Sequence, residues 1–106
     1  MREIDLAAFT ARHRDSAVVI DVREASEYVT GHVPGAELVP MGQLPARIAG
    51  LPRGVPVYVI CASGNRSAAA ADLLTRAAVD AWSVAGGTSA WQRAGHPVVQ
   101  GTRATA

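Results

Sequence analysis

The residues with the most chemical promise lie in Val57–Ser67, which reads Val-Tyr-Val-Ile-Cys-Ala-Ser-Gly-Asn-Arg-Ser and holds the one cysteine of the chain, Cys61. An apolar, β-branched run ends at that thiol, and an alanine-rich segment with helical spacing begins a few residues later. Cys61 is therefore expected at the carboxyl end of a buried strand, with a short Ser/Gly/Asn loop leading to a helix N-terminus. Such a place favours an anion. The amides of a first helical turn have no intrahelical acceptors, and the aligned peptide dipoles add partial positive charge. A cysteine facing those donors is held more as thiolate, the nucleophilic form. Arg66 adds a positive charge close by, while Gly64 and Asn65 tolerate the left-handed backbone angles that a ring of inward amides requires. The plain alternative is that a lone cysteine is a small buried hydrophobe.

The elements that must position this loop follow from pattern. Ile4 marks a short first strand, and Asp5 is the expected N-cap of a helix with Leu6, Phe9 and His13 on one face. His13, at the end of that helix, reads as a surface or C-terminal capping residue. Val18–Val22 reads as a strand covered on both faces, and Asp21 inside it needs a partner. Glu24–Thr30 reads as a short helix closed by Gly31, Pro34-Gly35 as a turn, and Ala36–Val39 as a strand. A helix is expected over Gln43–Gly50 with Pro45 in its first turn, and Pro56 is tolerated near the start of the central strand. From Arg66 onward, Ala70, Leu73, Leu74 and Ala77 form an apolar stripe at helical spacing. Ala81–Ala85 reads as the last strand, Gly86-Gly87 as a loop, and Thr88 as the N-cap of a final helix through about Ala94. Five strand-like runs thus alternate with five helical ones, which predicts an α/β fold: a five-stranded, mostly parallel sheet with helices on both faces. Ligands bind such sheets outside the carboxyl ends of the strands, where Asp21, Cys61 and Gly86 all fall.

A length of 106 residues, 49% of them hydrophobic, suits one domain whose core needs no disulfide or metal. One cysteine makes no internal disulfide, and neither a leader nor a long apolar span is evident, so a reducing cytoplasm is the expected location. A net charge of +1 gives no electrostatic case for nucleic acid, and no membrane partner is expected. One cysteine and three scattered histidines build no metal site, and no cofactor is expected. The domain is expected to span residues 1–100, with residues 101–106, polar and small, as a flexible tail.

Several pieces together resemble a single rhodanese-type sulfurtransferase domain. They are Asp21-Val22-Arg23-Glu24 with Glu27-Tyr28, then Gly31-His32-Val33-Pro34-Gly35-Ala36, the loop Cys61-Ala62-Ser63-Gly64-Asn65-Arg66-Ser67, and Gly86-Gly87 followed by Trp91, Gly95 and Pro97. They occur in the family's order from about Ile4 to Val98. The resemblance implies a cysteine that takes sulfane sulfur from a donor such as thiosulfate or a persulfide and passes it to cyanide or a thiol, with a sulfur-relay protein as a possible partner. The family often has glycine in the turn after the active-site helix, where this chain has Ala77-Ala78, and that departure touches the helix end, not the site.

On this reading Cys61 is the nucleophile, and the amides of Ala62, Ser63, Gly64, Asn65, Arg66 and Ser67 stabilise the persulfide. Arg66 either attracts an anionic donor or pairs with a carboxylate that holds the loop closed, and a mixture leaning to the second role is favoured. Asp21 and Arg23 either tune the site or pin the active-site loop and the Glu24–Thr30 segment through hydrogen bonds, with pinning favoured, and Gly86 with Gly87 are expected to permit close backbone approach. His32 reads as a turn residue, since a thiolate made by amides needs no base; Trp82 and Trp91 read as packing. Two other classes compete: a partner-binding module that merely keeps the fold, and a small cysteine phosphatase or arsenate reductase. The phosphatase signature has five residues between cysteine and arginine, whereas only Ala62–Asn65 separate Cys61 from Arg66.

Overall fold

The computed structural model describes residues 2–105. Its central strand, β4 (Val57–Ile60), is buried at all four positions, as expected of an apolar run covered on both faces. β2 (Val18–Asp21) and β5 (Ala81–Val84) flank it, β3 (Glu37–Leu38) lies beyond β2, and β1 (Glu3–Ile4) lies beyond β5. All four pairings are parallel, so the carboxyl ends of β2, β4 and β5 share one rim.

Side chains alternate across β4 as strand geometry requires. Val57 and Val59 join a core with Ala70, Ala71 and Leu74, whereas Tyr58 and Ile60 join one with Phe9, Val84 and Trp91. The helix α4 (Asn65–Arg76) therefore covers the first face, and α1 (Leu6–Arg14) and α5 (Gly87–Arg93) cover the second. Burying each such Val, Leu or Phe contributes about 1.5–3 kcal/mol. Packing of this size, rather than helix propensity, fixes where the N-termini of α4 and α5 point. Within α4 the buried set is Ser67, Ala70, Ala71 and Leu74, an i, i+3, i+4, i+7 stripe turned slightly from the expected one, with Leu73 and Ala77 at its edge.

Asp5 caps α1 as expected, accepting from the Ala8 amide at 2.8 Å. Other ends differ from expectation. The helix expected over Gln43–Gly50 is divided into a 3-10 turn at Met41–Gln43, α3 (Leu44–Arg47) and a second 3-10 turn at Ile48–Gly50. Pro45 supplies no amide and the glycines at each end weaken the helix, so bonding switches to the tighter type. The short α2 (Ala25–Tyr28) occupies only part of Glu24–Thr30. Thr88 is not the cap of α5: Gly86 is, and Thr88 lies inside the helix with its hydroxyl lacking a partner among the described residues.

The segment from Gly101 that was expected to fray carries three tethers. Gly101 donates to the Val29 carbonyl at 2.9 Å, Gly35 donates to the Ala104 carbonyl at 2.8 Å, and the His32 Nε2 lies 2.7 Å from the Arg103 carbonyl. Ala106, the end of that expected tail, lies outside the described residues.

The Ala77-Ala78 turn closes α4 without glycine. Val79 donates to the Leu74 carbonyl at 3.0 Å and Ala78 donates to the Thr75 carbonyl at 3.1 Å, the paired bonds of a Schellman end. This puts Ala78 at a φ of 67°, a left-handed conformation that costs a side-chain-bearing residue about 1–2 kcal/mol. Ala78→Gly should therefore stabilise the fold by about 0.5–1 kcal/mol after the entropy of a freer unfolded chain is subtracted. A raised urea midpoint checks this, and an unchanged or lowered one refutes it.

Candidate active site

The alternation that sends Val57 and Val59 to one face of β4 sends Cys61 the same way, into the N-terminus of α4. Its Sγ accepts from the Gly64 amide at 3.1 Å and the Ser67 amide at 3.3 Å, and lies 3.4 Å from the Ser67 hydroxyl. The cysteine is only 1% exposed. Burial pushes its pKa up, but the Ser67 hydroxyl and the amides of Ser67, Gly64 and Ser63 more than offset that, and the thiol titrates below its ordinary value. Gly64 makes the geometry possible: with φ at 109° it turns the chain so that its own amide faces the sulfur. Among the described residues, the amides of Ala62, Asn65 and Arg66 donate to no protein acceptor. The Ser63 and Asn65 side chains are exposed, so around the sulfur the backbone, not these side chains, supplies the donors.

Arg66 does not point into this ring. Its guanidinium makes a bidentate pair with Glu27, Nη1 to Oε1 at 2.7 Å and Nη2 to Oε2 at 2.8 Å. The pair holds the Glu27 carboxyl down at about 2, against burial, and pushes Arg66 up. A bond thus runs from the first turn of α4 to α2, the short helix after β2. Asp21 and Arg23 form a second, buried pair: Arg23 Nε and Nη2 donate to the Asp21 carboxylate at 2.9–3.1 Å, and Nη2 also donates to the Gly31 carbonyl at 2.9 Å. That pair pins the segment ending at Gly31, as expected, but makes no hydrogen bond to residues 61–67. Removing one partner of such a buried pair costs about 3–5 kcal/mol.

α5 is fastened directly to the loop. The Thr88 amide donates to the Cys61 carbonyl at 2.8 Å and the Ser89 amide to the Ala62 carbonyl at 3.0 Å. These bonds replace a side-chain cap, which is why Thr88 is not needed as one. Gly87 has to be glycine here, since a Cβ on it would sit 2.5 Å from the Cys61 oxygen, and its φ of 59° is left-handed as well. Gly87 therefore allows close backbone approach beside Cys61, whereas a Cβ on Gly86 would meet the Ala90 side chain at 2.6 Å rather than the loop.

Other candidates lie elsewhere. His32 is fully buried, stacked 3.6 Å from the Tyr28 ring, with its nitrogens at the Tyr28 and Arg103 carbonyls rather than at the thiol. His13 neither caps α1 nor lies free; its Nε2 is 2.7 Å from the Pro34 carbonyl and its ring stands against Trp91. Trp91 is core, and Trp82 is half-buried beneath the Arg2 guanidinium. Two residues of the site were not read from the sequence in these roles. Glu27, the partner of Arg66, is 39 positions away, and no local spacing links them. Ser83, whose hydroxyl lies 2.8 Å from that of Ser67, looks like one more residue of a buried strand; its polarity at a core position was the available signal.

With this geometry in view, comparison with known proteins is specific. A rhodanese-like domain family model matches residues 6–94. A sulfurtransferase of Allochromatium vinosum is 32% identical over 93% of this chain and 95% of its own length. The thiosulfate sulfurtransferase GlpE of Pseudomonas putida (strain GB-1) is 36% identical over 85% of this chain and 82% of its own. A crystal structure of a rhodanese-related protein from Thermoplasma volcanium superposes with a TM-score of 0.84 at 35% identity, covering 93% of this chain and 98% of that one. The resemblance carried by the Cys61 loop and its flanking segments is thereby borne out, and the chain belongs to the rhodanese-like domain family.

Proposed function

We propose that this protein is a sulfurtransferase of the rhodanese type in which Cys61 carries the sulfur as a persulfide. The observation that supports this best is the pair of main-chain donors bonded to Sγ, the Gly64 and Ser67 amides, next to the amides of Ala62, Asn65 and Arg66, which have no protein acceptor among the described residues. In the first step the thiolate attacks the outer sulfur of a donor such as thiosulfate. A new S–S bond forms, the donor's S–S bond breaks, and sulfite leaves with the electron pair. The persulfide's negative charge then rests on the terminal sulfur, and the amides of Ala62–Ser67 stabilise it. Preorganised donors of this kind contribute about 2.7–4 kcal/mol each in the best cases. An acceptor, cyanide or a thiol, attacks that terminal sulfur and regenerates the thiolate. The named relatives support sulfur transfer as the reaction class; thiosulfate, the acceptors and any sulfur-relay partner are this proposal's own. A reducing, cytoplasmic setting suits the free thiol; no helix among the described residues is long and apolar enough to cross a membrane.

Arg66 has the role of a brace in this scheme. Its bidentate bond to Glu27 neutralises it and leaves the sulfur to main-chain donors and the Ser67 hydroxyl, an arrangement unlike a phosphate cradle, in which the arginine must reach the anion.

Mass spectrometry tests the central step. Incubation with thiosulfate should add the mass of one sulfur atom, cyanide should remove it, and Cys61→Ser should gain nothing; no gain in the wild type, or a gain in Cys61→Ser, rejects the mechanism.

The brace predicts equality. Glu27→Gln and Arg66→Ala should slow persulfide formation alike, by roughly three- to tenfold, and the double variant should be no slower. Selective loss in Arg66→Ala would instead mark Arg66 as the donor's binding group. The folded-state pKa of Glu27 lies below its ordinary 4.5, at about 2, so the pair's stabilisation is present above 4.5 and is lost as pH falls through about 2. Both side chains are more than a third exposed, which limits it to about 1 kcal/mol or less. The stability gap between wild type and Glu27→Gln should accordingly persist at pH 6 and close between pH 4.5 and 2 in denaturation curves.

A further inference from the structure

Ser83 is a hydroxyl on the middle of β5 with no exposed surface. Its one hydrogen-bond partner among the described residues is the Ser67 hydroxyl, 2.8 Å away. The Ser67 oxygen also lies 3.1 Å from the Gly64 carbonyl and 3.4 Å from Cys61 Sγ. Three acceptors thus surround a hydroxyl that owns one hydrogen, and which of them receives it depends on Ser83.

Counting protons decides the direction. A buried hydroxyl that donates to nothing is costly, and Ser83 can donate only to Ser67. Once it does, Ser83 no longer competes for the hydrogen of Ser67, which is left to the Gly64 carbonyl or the sulfur. When the sulfur carries negative charge it is the stronger acceptor. The chain of donation then runs from β5 through Ser67 to Cys61, and each bond polarises the next.

We propose that Ser83 is a positioning residue for Cys61: by donating to Ser67 it turns that hydroxyl towards the sulfur and strengthens its hold on the anionic form. The inference shares with the proposed function only the anionic Cys61. Its readout is proton release from the thiol, which is measured without any sulfur donor, so failure of sulfur transfer and failure of this inference are separable. The charged groups nearest the loop, Arg66 with Glu27 and Arg23 with Asp21, are untouched by the variants below.

Because the chain has a single cysteine, thiolate absorbance and the pH dependence of iodoacetamide alkylation both report Cys61 alone. Ser83→Ala should raise the midpoint by about 0.3–0.5 pH unit, and Ser67→Ala by about one unit. The double variant Ser67→Ala/Ser83→Ala should match Ser67→Ala, since Ser83 acts only through Ser67. If Ser83→Ala does not fold, Ser83→Cys, of similar volume and a weaker donor, should shift Cys61 the same way, read from the pH dependence of alkylation of the Cys61 peptide by mass spectrometry, since absorbance then reports two thiols. An unchanged midpoint in the Ser83 variant, or a Ser83 shift that persists in full on the Ser67→Ala background, overturns the proposal.

Discussion

The structure depends on the meeting of one sulfur atom with the unbonded amides of a helix's first turn. Those amides exist because every α-helix begins with donors that have no partner within it. They reach Cys61 because β4 ends there and α4 turns back over the same face of the sheet. Burial alone would drive the thiol towards its neutral form, yet the Ser67 hydroxyl and the main-chain donors reverse the balance. The site is therefore a contest between desolvation and hydrogen bonding that hydrogen bonding wins.

Three neighbouring segments keep that contest decided. Beneath the loop, the alternating side chains of β4 seat α4 on a core of small residues, Ala70 and Ala71 among them, which lets the helix lie close to the sheet. On one side, the first amides of α5 bond the carbonyls of Cys61 and Ala62, so the peptide groups pointing away from the sulfur are fixed as firmly as those pointing towards it. On the other, Glu27 ties down Arg66. The loop is held by backbone, by core packing and by an ion pair, and each acts on a different residue of it.

Much of this was legible in the sequence because it is local. The apolar, β-branched run at β4, the helical stripe of α4 and the Asp5 cap each depend on residues within a turn or two of one another. The position of Cys61 at a strand end before a glycine-bearing loop follows from the same rules. What escaped is non-local or depends on geometry finer than pattern. The Glu27–Arg66 and Ser67–Ser83 contacts join elements brought together only by the order of strands in the sheet. Thr88 was read as a cap because its type is right for one, but the carbonyls of the Cys61 loop had already satisfied the amides that a cap serves. His32, in a turn by sequence, proved to be a buried linker because its partner is the Arg103 carbonyl from the far end of the chain. The helix expected at Gln43–Gly50 was broken by the proline and glycines that pattern matching treats as tolerable.

That last linker bears on how the protein can be trimmed. Composition alone invites an expression design that stops near residue 100, yet the imidazole of His32 is wholly enclosed and borrows an acceptor from Arg103. Cutting there would strand a polar ring in the interior, at about 1–3 kcal/mol, directly beneath the turn that Arg23 grips through Gly31. Residues 101–104 thus behave as a keystone for the His32 turn, and shortening the chain for convenience would loosen a buttress of the turn that Arg23 holds.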